Sequence, residues 1–149
     1  MATRRFQLTT IVPADPVSAI DFLSDLSRHR GLHAFMKSAE VVATGRDSDG
    51  EWREWRVVDR LKFLGIPYTF RYPSRITRTS RRSIRGRVRA APGCTLEITT
   101  TAETVTRGSV VKESAVVTAP WILVGYVTEN ARVAHARTFS LLPAELASA

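Results

Sequence analysis

Asp59 is the residue whose position asks most of its surroundings. From Glu51 to Phe63 apolar and charged residues alternate: Trp55, Val57, Leu61 and Phe63 share one phase, with Arg53 joining it at the start, while Arg56, Arg60 and Lys62 take the other. Asp59 falls in the apolar phase. A carboxylate on the buried side of a strand loses hydration, which raises its pKa and calls for a partner. In a cavity such a group can exchange a proton with a phenol or a ketone. The structural alternatives are a pairing with Arg53 or with a tyrosine of the same sheet, or a register that exposes it.

Tyr68 and Tyr72 share a face with Phe70 between them, which would set aromatic walls and two hydroxyl tips on one surface. The same spacing also suits an ordinary core. His135 lies beside Ala131 and Ala134 on a helical pattern, where it could serve as general base or hydrogen-bond donor near neutral pH, or simply face solvent. Asp59, Tyr72 and His135 are therefore the catalytic candidates. His29 and His33 have helical spacing across Gly31, yet no Glu, Asp or Cys completes a ligand set with them. Neither a metal nor any other cofactor is expected.

No glycine-rich phosphate loop, nucleophile elbow, CxxC pair or HExxH motif occurs. Their absence argues against nucleotide hydrolysis, serine esterase chemistry, thiol redox chemistry and zinc proteolysis. Cys94, the one cysteine, reads as a buried inert thiol. It excludes an internal disulfide framework and suits a reducing compartment. No apolar run approaches the roughly 20 residues that span a bilayer, and no apolar signal region follows Arg4 and Arg5, so a cytoplasmic location is expected.

Charge is the most lopsided property of the chain. The formal net charge is +8. Between Asp59 and Glu97 there is no acidic residue, whereas Arg60, Lys62, Arg71, Arg75, Arg78, Arg81, Arg82, Arg85, Arg87 and Arg89 all fall there. Such a strip is the solvated face of a sheet or a site for an anionic partner. Nucleic acid is disfavoured as a specific partner, because these arginines alternate with apolar residues and lack exposed aromatics for base stacking.

Alternating and helical periods order the elements that carry these residues. Phe6 to Val12 reads as a half-buried strand. Asp15 is a good N-cap with Pro16 at the first helical position, and Val17, Ile20, Phe22, Leu23 and Leu26 form the stripe of a helix ending near Leu26. A second short helical turn is expected from Arg28 to Phe35, kinked at Gly31. Residues 39 to 45 form a strand, Asp49-Gly50 turns it, and further strands follow through residues 51–63, 66–77, 82–90, 94–101 and 109–118. Turns fall at 91–93 and 107–108. Pro67 and Pro73 place the 66–77 strand at an edge or at a bend. In the 109–118 strand valine occupies both phases, which leaves its inward side open. From Trp121 the period becomes helical for about 22 residues, with Trp121, Val124, Val127, Ala131, Ala134, Thr138, Leu141 and Leu142 on one face.

This order of elements, the segment Asp15-Pro16-Val17-Ser18-Ala19-Ile20-Asp21-Phe22-Leu23-Ser24-Asp25-Leu26, and Ala119-Pro120-Trp121-Ile122-Leu123-Val124-Gly125-Tyr126-Val127 before an alanine-rich end resemble the START-like (SRPBCC) superfamily. Within it the chain is most similar to the small polyketide cyclase/dehydrase and lipid-transport-like proteins. The likeness runs over nearly the whole chain, read as one domain over 1–149. It implies an α+β helix-grip fold: a seven-stranded curved antiparallel sheet around a long C-terminal helix, two short helices after the first strand, and a cavity for an apolar small molecule. It implies no single reaction, since members include cyclases, carriers and hormone receptors.

The expected cavity wall takes Trp55, Val57, Asp59, Tyr68, Phe70, Tyr72, Leu96 and Ile98 from the sheet, and Val124, Val127, Ala131 and His135 from the helix. Because the helix offers mainly small side chains there, a void of about 300 Å³ or more should remain. Binding of an apolar small molecule such as a lipid, quinone or polyketide is the expected function. The alternatives are a cyclase or dehydratase acting on a similar molecule, and a nucleic-acid or membrane-surface protein using the arginine strip. Ligand identity and oligomeric state are left open.

Overall fold

The computed structural model describes residues 1–90 and 93–147. Ala91 and Pro92, which open the turn read at 91–93, lie outside the described residues. Strands β1 (Ala2–Val12), β2 (Met36–Asp47), β3 (Gly50–Phe63), β4 (Ile66–Ser80), β5 (Ser83–Ala90), β6 (Cys94–Val105) and β7 (Gly108–Ala119) form one antiparallel sheet in the order β1-β7-β6-β5-β4-β3-β2. Helix α1 (Pro16–Ser24) follows β1, and the long helix α2 (Val124–Ala147) ends the described chain.

Local chemistry explains most element ends. Asp15 caps α1, its Oδ2 accepting from the Ser18 amide at 3.1 Å and its Oδ1 from the Ser18 hydroxyl at 2.6 Å. Gly50, at φ +136°, closes the β2–β3 turn; a Cβ there would meet the Arg78 carbonyl oxygen at 2.1 Å, so no other residue fits. Register shifts at Met36/Ser38 and Val41/Ala43 in β2, and at Arg78/Ser80 in β4, insert the bulges that help curve the sheet.

Three expectations are corrected. The second helical segment is a single 3₁₀ turn at Leu26–Arg28, not a helix over 28–35. Gly31, at φ +90°, has left the helical region, and a turn in which the Leu32 and His33 amides donate to the His29 carbonyl leads on to β2. The long helix begins at Val124 and not at Trp121: the amides of Leu123 and Val124 both donate to the Pro120 carbonyl in a turn, and Trp121 is 77% exposed instead of facing inward. The helix also runs past Pro143, held by Phe139, Leu142 and Leu146 in the core. Finally, β4 lies inside the sheet. Its residues 66–73 nevertheless pair with β3 alone, because β4 and β5 are matched only from Ser74 to Ser80. Both prolines sit in that one-sided stretch, where a missing N–H costs no ladder bond to β5.

The concave face is the face that alternation marks. Trp55, Val57, Ile76, Ile84, Leu96 and Ile98 are buried on it, while Arg71, Arg75, Arg85 and Arg87 lie on the exposed convex side. In β7 the inward phase is Ser109, Val111, Glu113, Ala115, Val117 and Ala119. Helix α2 packs against β1 and β7, and α1 against β5, β6 and β7. The concave side of β3 and β4 is thus left with little helix cover where α1 does not reach, around Asp59, Tyr68, Phe70 and Tyr72.

Candidate functional site

Between α2 and the sparsely covered strands lies a cavity of about 260 Å³. One wall is Tyr68, Phe70 and Tyr72 of β4 with Val88 of β5 and Leu96 of β6; the other is Val127, Ala131, Ala134 and His135 of α2. A second, smaller chamber of about 100 Å³ lies toward α1 and is lined by Val57, Ile98, Leu23 and Phe139 among others. His33, Tyr72, Val88 and His135 line both. The main chamber is somewhat below the volume expected from sequence, because Tyr126 and Leu123 also point into it.

Two buried polar pairs face this space. Tyr72 and Asp59 sit diagonally across β3 and β4, Tyr72 lying opposite Val57 and Asp59 opposite Phe70, and the Tyr72 hydroxyl donates to Asp59 Oδ2 at 2.9 Å. Arg53 is exposed and takes no part. Asp59 is 6% exposed, and its Oδ1 has no hydrogen-bond partner among the described residues. Desolvation pushes its carboxyl up to about 6, against the pull of the Tyr72 hydroxyl and the charge of His135. Burial likewise pushes the Tyr72 phenol far up, with the Asp59 charge and hydrogen bond adding to it.

The second pair joins α2 to β7. His135 Nδ1 lies 2.9 Å from Glu113 Oε2 and 3.1 Å from Oε1, with the hydrogen bond directed at Oε1. Burial of the imidazole opposes its charge. The Glu113 carboxylate, through its charge and hydrogen bond, outweighs that, and Asp59 adds to it, so the pKa of His135 is raised overall. His33 lies edge-on to His135 with ring centroids 5.9 Å apart, and its Nδ1 accepts from the Phe35 amide. Burial, followed by the nearby His135 and His29, lowers the pKa of His33 to about 3. His29 is set apart from the cavity's main chamber: stacked on Phe22, its Nε2 donates to the Phe22 carbonyl at 2.9 Å, and burial lowers its pKa.

Of the residues singled out from sequence, Asp59, Tyr68, Phe70, Tyr72, Leu96, Val127, Ala131 and His135 line the main chamber. Val57 and Ile98 line the second. Trp55 and Val124 line neither: Trp55 belongs to the core under α1, and Val124 packs with Cys94 and Ala119. Sequence reasoning passed over Glu113, Tyr126, Asn130 and Phe35. Glu113 shares phase with the buried Val111, Ala115 and Val117, but valine in both phases of that strand hid which side faces inward. Tyr126 and Asn130 are one helical turn apart, and Asn130 Nδ2 donates to the Tyr126 carbonyl at 2.9 Å.

Tyr126 also ties the projecting β3–β4 arm to α2. Its hydroxyl donates to the Lys62 carbonyl at 3.2 Å, so Tyr68 must be the donor in the 2.6 Å contact between the two phenols. The Phe63 ring meets the Tyr126 ring edge-on, with centroids 5.2 Å apart. Burial and the contact with Tyr126 raise the pKa of Tyr68.

No protein-family model matches the chain, and no curated protein matches its sequence. Solved structures do match its shape. The Zhui aromatase/cyclase from Streptomyces sp. R1128 superposes with a TM-score of 0.75 at 13% identity, over 97% of this chain and 94% of that one. TTHA0849 from Thermus thermophilus gives 0.71 at 17% identity, over 99% and 98%. A START superfamily protein from Mycobacterium smegmatis gives 0.61 at 15% identity, over 93% and 98%. Identities this low speak for the fold alone, and with the sheet order and the grip of α2 they establish that the chain has the START-like helix-grip fold.

Proposed function

We propose that this protein binds an apolar small molecule carrying at least one hydroxyl or carbonyl group in the cavity between β3–β6 and α2. The observation that supports this reading best is the cavity itself: about 260 Å³ of space with walls that are aromatic on one side and small on the other. A filled core of this size would close such a gap, since protein interiors pack like organic crystals. The two buried pairs are the polar groups that would orient the ligand. Asp59 Oδ1 has an open acceptor position, and with His135 Nδ1 turned to Glu113, Nε2 is the nitrogen left for a ligand. Flat molecules of the quinone or polyketide type suit walls built from Tyr68, Phe70 and Tyr72.

The test is native mass spectrometry of the protein purified from its host, together with uptake of an apolar fluorescent probe. Replacing Ala131 by Trp fills the space with a ring. The variant is expected to keep its melting temperature within a few degrees and to lose probe uptake and any retained mass. Strong destabilisation instead would mean that the ring overpacks a core already filled, which typically costs about 1–3 kcal/mol.

A second reading is favoured by one observation, the buried carboxyl of Asp59 held near 6 beside the Tyr72 hydroxyl. A group titrating there can give and take protons near neutral pH. As a cyclase or dehydratase the protein would use Asp59 with Tyr72, and His135 with Glu113, to move protons on a bound ketone or phenol. Incubating the captured ligand with fresh protein and following its mass and chromatographic retention separates the readings: loss of water, or an isomer of equal mass, that Asp59→Asn stops supports turnover, and an unchanged compound supports carriage.

A further inference from the structure

The end of the cavity lined by Leu61, Tyr68, Leu123 and Tyr126 is bordered by the β3–β4 turn and by the turn that leads into α2. Tyr126 binds the two together through Phe63 and Lys62. Around this border stand Leu64, Ile66, Trp121 and Ile122, each 68% to 86% exposed. Leu64 is also the one non-glycine residue at positive φ among the described residues, at +52°. A leucine there is disfavoured twice, by the left-handed backbone and by exposure, where Asn or Gly would be the ordinary choice. A side chain kept against both costs points to an occupant that rewards it.

Charge says which occupant. The segments that meet at this end, residues 1–5, 60–70 and 116–128, contain no aspartate or glutamate. On the convex face Arg75, Arg85 and Arg87 lie within ion-pair distance of Glu54, Asp49 and Glu97, and Arg78 reaches Asp21 of α1 on the other side. Arg4, Arg60 and Lys62, at or near this end, are exposed, and none of the ion pairs among the described residues includes them. An exposed apolar tip with a tryptophan, ringed by cations without counter-charges, has the chemistry of a surface that seats itself in an anionic lipid interface. We propose that this end docks on an anionic lipid surface, with Leu64, Ile66, Trp121 and Ile122 entering the headgroup region and Arg4, Arg60 and Lys62 meeting the lipid charges. Docking there would bring the apolar cavity beside the bilayer.

Flotation with vesicles of phosphatidylcholine, with and without phosphatidylserine, tests this on the whole protein. The wild type is expected to float with the anionic vesicles, to be released by salt, and to show a blue shift of tryptophan emission that Trp121→Phe removes. Leu64→Asn suits the left-handed backbone and should fold as well as the wild type, yet bind vesicles roughly tenfold more weakly, as should Lys62→Glu. Arg85→Glu, an equal charge change on the convex face, should leave binding within about twofold. No flotation, equal loss in Arg85→Glu, or binding untouched by Leu64→Asn would overturn the proposal. So would a concentration-dependent dimer that Leu64→Asn and Trp121→Ser dissociate, which would make the patch a contact between copies of this chain.

Discussion

The two halves of the α2 grip differ in what fills them. Toward the C-terminal end of the helix, Phe139, Leu142 and Leu146 meet Ile20, Phe22 and Leu23 of α1 over Trp55, Val57, Ile76 and Ile84, and the core keeps only the smaller chamber of about 100 Å³. Toward its N-terminal end the inward residues are Val127, Ala131 and Ala134, no residue of α1 reaches the space, and the chamber stays open. One sheet supports both outcomes, so the cavity is set by side-chain size along one helix and by where α1 docks, not by a change in the backbone plan. The more closed half carries most of the apolar core, and the open half carries the Asp59 carboxyl with its unpaired Oδ1.

Breaking the closed half should produce the largest change. Phe139→Ala removes a ring that is 5% exposed in the core, and a loss of about 3–5 kcal/mol is expected in urea unfolding. A loss below about 1 kcal/mol would mean that this half is as loosely filled as the other.

Asp59→Asn should act in the opposite direction and depend on pH. The Asp59 carboxyl sits at about 6 in the fold against 3.8 as an ordinary carboxyl. The native state therefore holds its proton more tightly than the unfolded chain, and its contribution to stability is complete below pH 3.8 and lost as pH rises through 6. Asparagine cannot ionise, so at pH 8 the variant should be more stable than the wild type by about 1–2 kcal/mol. The gain should vanish near pH 4. Equal curves at both pH values would place the carboxylate in contact with water and end the contrast between a buried site and the solvent.

A smaller effect is expected where the arm is tied to the helix. Tyr126→Phe removes the bond to Lys62 and the acceptor of Tyr68, for a loss of about 1 kcal/mol, and faster amide exchange in residues 60–68 should accompany it. If exchange is unchanged, the hydroxyls do not hold the arm down.

What residues revealed on their own was whatever depends on neighbours in sequence. Alternation over a few positions placed Trp55, Val57, Tyr72, Leu96 and Ile98 on the inner face and the arginines on the outer, because side chains of a strand alternate whatever the strand pairs with. The Asp15-Pro16 start of α1 and the Asp49-Gly50 turn follow from backbone chemistry equally local. The phase of β7 was not legible, since valine fits both sides of a strand, and with it went Glu113. Trp121 misled for a related reason: its apolar side chain fits a helical stripe, but the three-residue turn after Pro120 comes before the helix and swings it outward.

Tertiary structure alone decided the partners. Asp59 meets Tyr72 through the register of β3 on β4, and Glu113 meets His135 only because α2 lies against β7, across 22 positions of chain. The open chamber has the same origin: small residues on a helix make a cavity only where nothing else packs in, and that depends on where α1 and α2 come to rest on the sheet. Pattern along a chain reports which side of an element is buried, whereas the distance between elements is set by the packing of all of them at once.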